Sequence, residues 1–586
     1  MERREFIKNT GLAMAAAFIP KFGFSSSLYN EYPVLGDTLY NGIVLPKIWP
    51  PRDISMNYEP MPLPYLDKRP ATVPIDVGRQ LFVDNFLIEK TDLSYRSHQP
   101  QKMDFNPVLK PETKLEMGIN GNPGASAKDG GVWWDPKDGL FKMWYEAGWL
   151  NTMAYAISKD GINWERPNLD IEPGTNRIVP EIVADSSTVW LDHFTDNPNE
   201  RFKMFLRSPN SIPGSTERFN YGFCMVSPDG IHWSKPVKTG PCGDRSTIFY
   251  NPFRRKWVYS LRNTGNVNKI PIGRHRLYHE YSDFMKGANW DKDDMLFWTG
   301  ADFLDEPDPY IGEKAQLYNL SAVGYESIML GLHQIHLGPS NEKCRETGAP
   351  KITELKVSFS RDGFYWDRPD RGAFIPAERK ERSWDRGYVQ SVGGICTIVG
   401  DQLWFYYIGF QGNPKLLNSV YDYNGMHYNG STGIAVLRRD GFVSLSAHET
   451  EGYITTRPVT FSGKHLFVNV DCPKGQFRAE LLDEKGNVVP GFSASECKII
   501  SKDSTITQVK WKSGKCIPPL NGKPVRFRFY LTNGELYSFW VSKDEDGASN
   551  GYNAAGGPGF TGGIDSTGRK AYEKAKSYPN FIKDIK

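Results

Sequence analysis

The sequence predicts an all-β protein: a five-bladed β-propeller followed by a β-sandwich domain. Three observations carry that expectation. The phrase Ser-x-Asp-Gly-x-x-Trp-x-x-Pro occurs at 158–167, 227–236 and 360–369. Aromatic residues make up 13% of the 586 residues, including 16 Trp and 29 Tyr, and no long apolar stretch shows helical periodicity. From residue 456 the pattern changes to short alternating strands between Gly-containing turns.

Residues 1–27 carry Arg3-Arg4, Phe6 and Lys8 ahead of a soft apolar run from Gly11 to Pro20. This resembles a twin-arginine export signal, and the run is too short to span a bilayer. The expected location is periplasmic or secreted, with no membrane span. Residues 28–77 form a Pro-rich extension expected to wrap the surface.

The propeller is expected over 78–455. The Asp of the phrase falls at 160, 229 and 362, so the second gap is about twice the first. A degenerate copy, "YSDFMKGANW", fills it at 281–290, and "LRRDGFVSL" follows at 437–445. Five units fit a propeller of four-stranded blades. Each unit opens with a strand, a tight turn and a second aromatic strand, as in "GGVWWDPKDGLFKMWYEAG" and "STVWLDHFTDNPNERFKMFLRS". Asp160, Asp229 and Asp362 are read as blade corners, because every blade needs the turn and catalysis is needed once. Residues 456–545 are read as the sandwich and the Gly-rich 546–586 as a mobile tail.

A net charge of +3 gives no footprint for nucleic acid. Seven scattered cysteines include no C-x-x-C and imply no disulfide framework. H-E-x-x-H and Cys/His clusters are absent, so no residue spacing calls for a metal or cofactor. Abundant Trp and Tyr suit sugar faces, although most such rings belong to the core.

Strand register locates a candidate site. Asp135, Asp192 and Asn251 align as turn residues, and seven positions earlier stand Lys128, Asp185 and Asp244. Seven strand residues span roughly 23 Å, which puts these groups at the opposite mouth from the turns. Asp129 and Arg245 lie one position on. Asp129 is off register by one residue, and Gly130-Gly131 can supply a correcting bulge. Unit four offers Tyr318 and Asn319 at the same mouth, and unit five offers Gln390 and Ser391. Asp129, Asp185 and Asp244 are therefore the candidate catalytic residues, with Arg245, Tyr318, Asn319 and Gln390 as substrate contacts. Glu326, in "YES", falls at the turn end of its strand; Glu116 and Asp385 are the other candidate acids. His333 and His336, in a second strand, are read as satisfied structural histidines.

The repeated phrase with its C-terminal strands resembles the glycoside hydrolases of families 32 and 43 over 78–545. The resemblance implies a carbohydrate-active enzyme that acts on an oligosaccharide or polysaccharide. It also implies a base or nucleophile in blade one, a supporting Asp in blade two and a Glu acid in blade three. The fructan-cleaving motifs Trp-x-Asn-Asp-Pro-Asn-Gly, Arg-Asp-Pro and Glu-Cys are absent, and "GDRS" at 243–246 reverses the Arg-Asp order. Three functions stay open: hydrolysis; elimination from uronic acids by a lyase or dehydratase; and sugar binding without chemistry. In the second, a cation and an amide would hold the uronate while Tyr or His takes its proton.

Overall fold

The computed structural model describes residues 36–581 apart from 55–56, 119–120, 210–219, 268–269 and 417–424. The export signal expected at 1–27 lies outside the described residues.

Five antiparallel sheets form the blades. Their inner strands are Ala125–Asp135, Ser186–Leu191, Thr247–Asn251, Gln316–Glu326 and Gly387–Ser391. Hydrogen bonds join neighbouring blades around a full circle. Trp133 Nε1 donates to Val189 O at 3.0 Å, Arg245 N to Ser186 Oγ at 3.1 Å, and Thr247 Oγ1 to Asn319 Oδ1 at 3.2 Å. Thr353 Oγ1 donates to Val389 O at 2.6 Å, and Val132 N to Gly393 O at 3.2 Å returns to blade one. Gln101–Lys102 adds the outer strand of blade five by pairing with Ala435 and Val436. The chain thus closes its last blade with a segment that precedes its first.

The repeated phrase makes the corners. In blade one, Asp160 Oδ1 accepts from the backbone N–H of Ile162 and Asn163 at 2.8 Å each, and Gly161 N donates to Ser158 Oγ at 2.8 Å. The same bonds recur at Ser227/Asp229 and Ser360/Asp362. Gly161 takes φ 76°, where a side chain would be strained. Each corner rests on the preceding blade: Tyr406 Oη donates to Gly161 O at 2.8 Å, and Trp144 Nε1 to Gly230 O at 2.7 Å.

The sandwich differs from the expected 456–545 boundary. One sheet contains His465–Asp471, Asp503–Gln508 and Gly534–Ser542, with Val443–Ala447, Ser94–Ser97 and Gln80–Leu81 added. The other contains Gln476–Leu482, Arg526–Thr532 and Gly452–Thr456, with Ile88–Thr91 added. The strands between 80 and 97 therefore pair in the sandwich, not in the propeller. They have two to four residues each, too few to show a period, and their partners lie hundreds of positions later.

Two further segments pack more closely than their composition implies. In the Pro-rich extension, Leu39, Ile43, Leu45, Val73 and Ile75 enter the sandwich core, while Tyr40 stacks on Phe253 of the propeller at 4.2 Å. The Gly-rich tail, expected to be mobile, packs across the turn-end mouth. Trp134 N donates to Ala555 O at 3.0 Å, Ala555 N to Cys396 O at 3.0 Å, and Ala554 N to Gly324 O at 3.1 Å. Its glycines serve close approach: a Cβ on Gly557 would sit 1.7 Å from Ile398 O. Among the described residues no helix is long and apolar enough to cross a membrane, and none of the seven cysteines is in a disulfide.

Phe560 of the tail is 4% exposed in the propeller core. Phe560→Ala is expected to cost about 3–5 kcal/mol in a denaturant titration; an unchanged midpoint would show that the tail does not contribute to the fold.

Candidate active site

The residues predicted from strand register lie at one mouth, where ion pairs and hydrogen bonds connect most of them. Lys128, buried, reaches Asp185 Oδ1 at 2.9 Å and Glu146 Oε2 at 3.4 Å, with its ammonium 4.0 Å from the centre of the Trp149 ring. Asp129 pairs with Arg245 Nη1 at 2.5 Å and accepts from Asn319 Nδ2 at 3.0 Å. Arg245 Nη2 donates to Gln334 Oε1 at 2.9 Å. Asp244 pairs with Arg262 and accepts from Tyr318 Oη at 3.4 Å. Tyr318 Oη and Tyr388 Oη are 2.9 Å apart.

Three of these residues hold left-handed backbone: Asp129 at φ 55°, Arg245 at 58° and Tyr388 at 53°. Non-glycine residues rarely take this region. At Asp129 the strain accompanies a register shift between Ser126 and Gly131, the bulge that Gly130-Gly131 was expected to supply. The bulge lets both Lys128 and Asp129 enter the polar centre despite strand alternation.

The carboxyls differ in exposure. The Asp185 and Asp244 side chains are 14% and 28% exposed, whereas Asp129 and Glu146 are buried. Asp129 bonds both Arg245 and Asn319 beneath the open groups, so the three support the site from below. Gln390 is fully buried, and neither amide atom has a hydrogen-bond partner.

Their proton affinities differ too. Burial pushes Asp129 up to about 6 against the pull of Arg245, Lys128 and Arg276. Burial also raises Glu146 to about 7, against Lys128 and with help from Asp185. At Asp244 burial acts in the same upward direction, but Arg262, Lys351, Arg207 and Arg274 outweigh it and hold the carboxyl at about 2. The mouth thus combines one firmly ionised carboxylate with two carboxyls that titrate near neutrality.

The other candidate acids lie elsewhere. Glu326 sits at the opposite mouth, paired with Arg79 at 3.4 Å and Arg439 at 3.0 Å. Glu116 accepts from Tyr145 Oη at 2.7 Å and pairs with Arg166, the Arg of the first repeated phrase, at 2.6 Å. Asp385 binds Lys102 at 2.6 Å and clasps the closing strand. His333 is satisfied by Ser358 Oγ at 2.9 Å, whereas both ring nitrogens of buried His336 lack a partner, contrary to expectation.

Inner-strand alignment does not find Glu146, Arg207, Arg262, Arg274, Lys351 or Tyr388. A signal exists for three of them: "WYEAG", "FLRS" and "SLRN" each place one charge directly after an apolar or aromatic run of the second strand. A cavity of about 640 Å³ lies at the other mouth, between Trp134, His193, Arg201, Phe560 and Lys574. It contains none of the carboxyls that converge at the charged mouth.

No protein-family model matches the sequence, and no curated protein matches it. Similar solved structures include an N-acetylgalactosamine deacetylase from F. plautii in complex with blood group B trisaccharide, at 14% identity and TM-score 0.39, covering 59% of this chain and 96% of that one. A thermostable family-43 glycoside hydrolase is 12% identical with TM-score 0.36, covering 54% and 91%. The Bombyx mori GH32 β-fructofuranosidase is 10% identical with TM-score 0.33, covering 75% and 94%. At these values the likeness assigns no activity, and the residues must carry that argument.

Glu146 yields a pH test. Between about 4.5 and about 7 the folded chain keeps this proton while the unfolded chain has lost it, so the group's contribution to stability falls as pH rises through that window. Glu146→Gln removes the titration and leaves Lys128 its Asp185 partner. The melting temperature of the variant relative to wild type should climb across this window and level off on either side. A pH-independent difference would show that Glu146 ionises normally.

Proposed function

We propose that this protein is an exported carbohydrate-active enzyme, a glycoside hydrolase that acts on oligosaccharides at the charged propeller mouth. One observation supports this above the others: carboxyls from the first three blades share one mouth, where Asp244 is ionised while Asp129 and Glu146 bind protons near neutrality. Glycoside hydrolysis needs that division, with one carboxyl to protonate the leaving oxygen and one carboxylate to attack or to activate water. Asp244 suits the ionised role. Asp185, open to the mouth and paired with Lys128, suits contact with the sugar beside Glu146, the carboxyl that burial raises to about 7 and that holds the proton. Asp129 positions Arg245 and Asn319. This arrangement departs from the order that the family resemblance implies, in which the blade-three residue is the acid.

A second reading is supported by Lys351. Burial, and then Arg274 and Arg262, bring its amine down to about 8 against Cys344 and Asp244. An amine with that affinity can take the proton alpha to a uronate carboxylate, which leads to elimination.

Mass spectrometry of products from neutral and uronic oligosaccharides separates the readings. Hydrolysis adds water and creates a reducing end; elimination adds no water and leaves an ultraviolet-absorbing double bond. Asp244→Asn and Asp185→Asn are each expected to lower turnover by about 10²–10⁴-fold. Full activity in both variants, or unsaturated products alone, would exclude the hydrolase.

A further inference from the structure

We propose that Arg262, Arg274 and Lys351 form an anion subsite around Tyr318 that takes the carboxylate or sulfate of an acidic sugar. The inference rests on the reading that this mouth takes carbohydrate, and it names the substrate class. The guanidinium carbons of Arg262 and Arg274 lie 5.9 and 5.3 Å from the centre of the Tyr318 ring, and Lys351 Nζ lies 6.0 Å from it. Lys351 Nζ is also 5.3 Å from the Tyr388 ring.

The charges around that ring do not balance. Asp244 is the carboxylate that feels all three cations, and it already pairs with Arg262. Arg274 Nη1 donates to the neutral Gln316 Oε1 at 3.0 Å. Among the described residues, neither Arg274 nor Lys351 has an ion-pair partner, and no hydrogen bond reaches the Lys351 amine. Lys351 is only 6% exposed. A buried cation without a partner is costly unless something anionic compensates it. His336, 2% exposed, lies beside Tyr318 with ring centres 6.0 Å apart, and neither ring nitrogen bonds another residue. Burial, with Arg274 and Lys351, keeps that ring neutral, so it adds no further charge to the cluster. The exposed edges of Asp244 and Arg262, at 28% and 14%, give the subsite an opening beside the proposed ionised carboxylate.

Galactose, galacturonate and galactose sulfated on its primary hydroxyl share one ring and have no glycosidic bond. Calorimetry and saturation-transfer NMR on the full chain therefore read their binding apart from turnover. At least one acid is expected to bind about tenfold tighter than galactose, the scale of one charge-assisted hydrogen bond. Which acid binds tighter identifies carboxylate or sulfate as the ligand. Lys351→Met and Arg274→Gln should each reduce that margin, and Lys351→Arg should keep it. Lys351→Met should melt no lower than wild type, because it removes an uncompensated charge. Equal affinity for all three sugars, or an unchanged margin in both charge-removing variants, overturns the subsite. Turnover of neutral oligosaccharides without acid preference would do the same while leaving the hydrolase reading intact. Acid-selective binding with no turnover of any oligosaccharide would support the subsite and remove the hydrolase.

Discussion

Closure of the blade ring is the constraint on which the rest of the structure depends. Each inner strand contributes only one or two groups to the mouth, so the constellation exists only while five strands are held in register around one axis. The inter-blade bonds from Trp133 to Val189 and onward to Val132 and Gly393 set that register. Gln101–Lys102 locks the first and last blades together, and Lys102 adds an ion pair to Asp385. At the opposite mouth, buried Arg79 reaches both Glu326 and Asp440, joining blades four and five to the segment that enters the sandwich. Removing one partner of such a buried group would leave an uncompensated charge. Glu326 is therefore structural for a physical reason: its charge is already compensated at the turn end, far from the Asp244 carboxylate.

The blades were legible because their corners are local. Ser-x-Asp-Gly closes its hydrogen bonds within five residues, and such chemistry leaves a fixed spacing in the text. Pairings that close over long sequence distances leave none. Gln80–Leu81 pairs with Ser538 and Phe539, and Ser94–Ser97 with Val443–Ser446. Nothing within four residues announces such partners. The tail misled for a different reason. Glycine marks both flexible linkers and close backbone approach, and composition does not separate them. Gly551 and Gly557 belong to the second class, packed against Glu326 and Ile398.

At the site, strand alternation and a shared turn register were enough to bring Asp129, Asp185 and Asp244 to one mouth. They could not rank the three. Exposure and neighbouring charge do that, and both depend on second and third strands that alignment of the first strands does not sample. Arg207, Arg262, Arg274 and Lys351 reach Asp244 from blades two, three and four, and they account for its low affinity for protons. Arg245 shows the converse. The sequence offers it as a substrate contact, yet its guanidinium is bound to Asp129 and Gln334, and its backbone carbonyl accepts from Arg276 at 3.0 Å.

The mouth is costly to build. Asp129, Arg245 and Tyr388 hold strained backbone, and each such residue costs about 1–3 kcal/mol. The cations around Asp244 outnumber it. Ion pairing explains part of this, since Lys128 is balanced by Asp185 and Glu146, and Arg245 by Asp129. It does not explain Arg274 and Lys351. A hydrophobic residue of similar volume would fill the buried place of Lys351 at lower cost, so a purely structural account predicts its absence. A site that must hold an anion beside an ionised carboxylate predicts both cations. Without those cations, a carboxylate ligand would meet Asp244 as a like charge and the carboxyl would take up a proton. The same cations that keep Asp244 ionised would therefore neutralise the ligand, whereas elimination through Lys351 would need that amine neutral and would leave Arg262 and Arg274 to hold the anion.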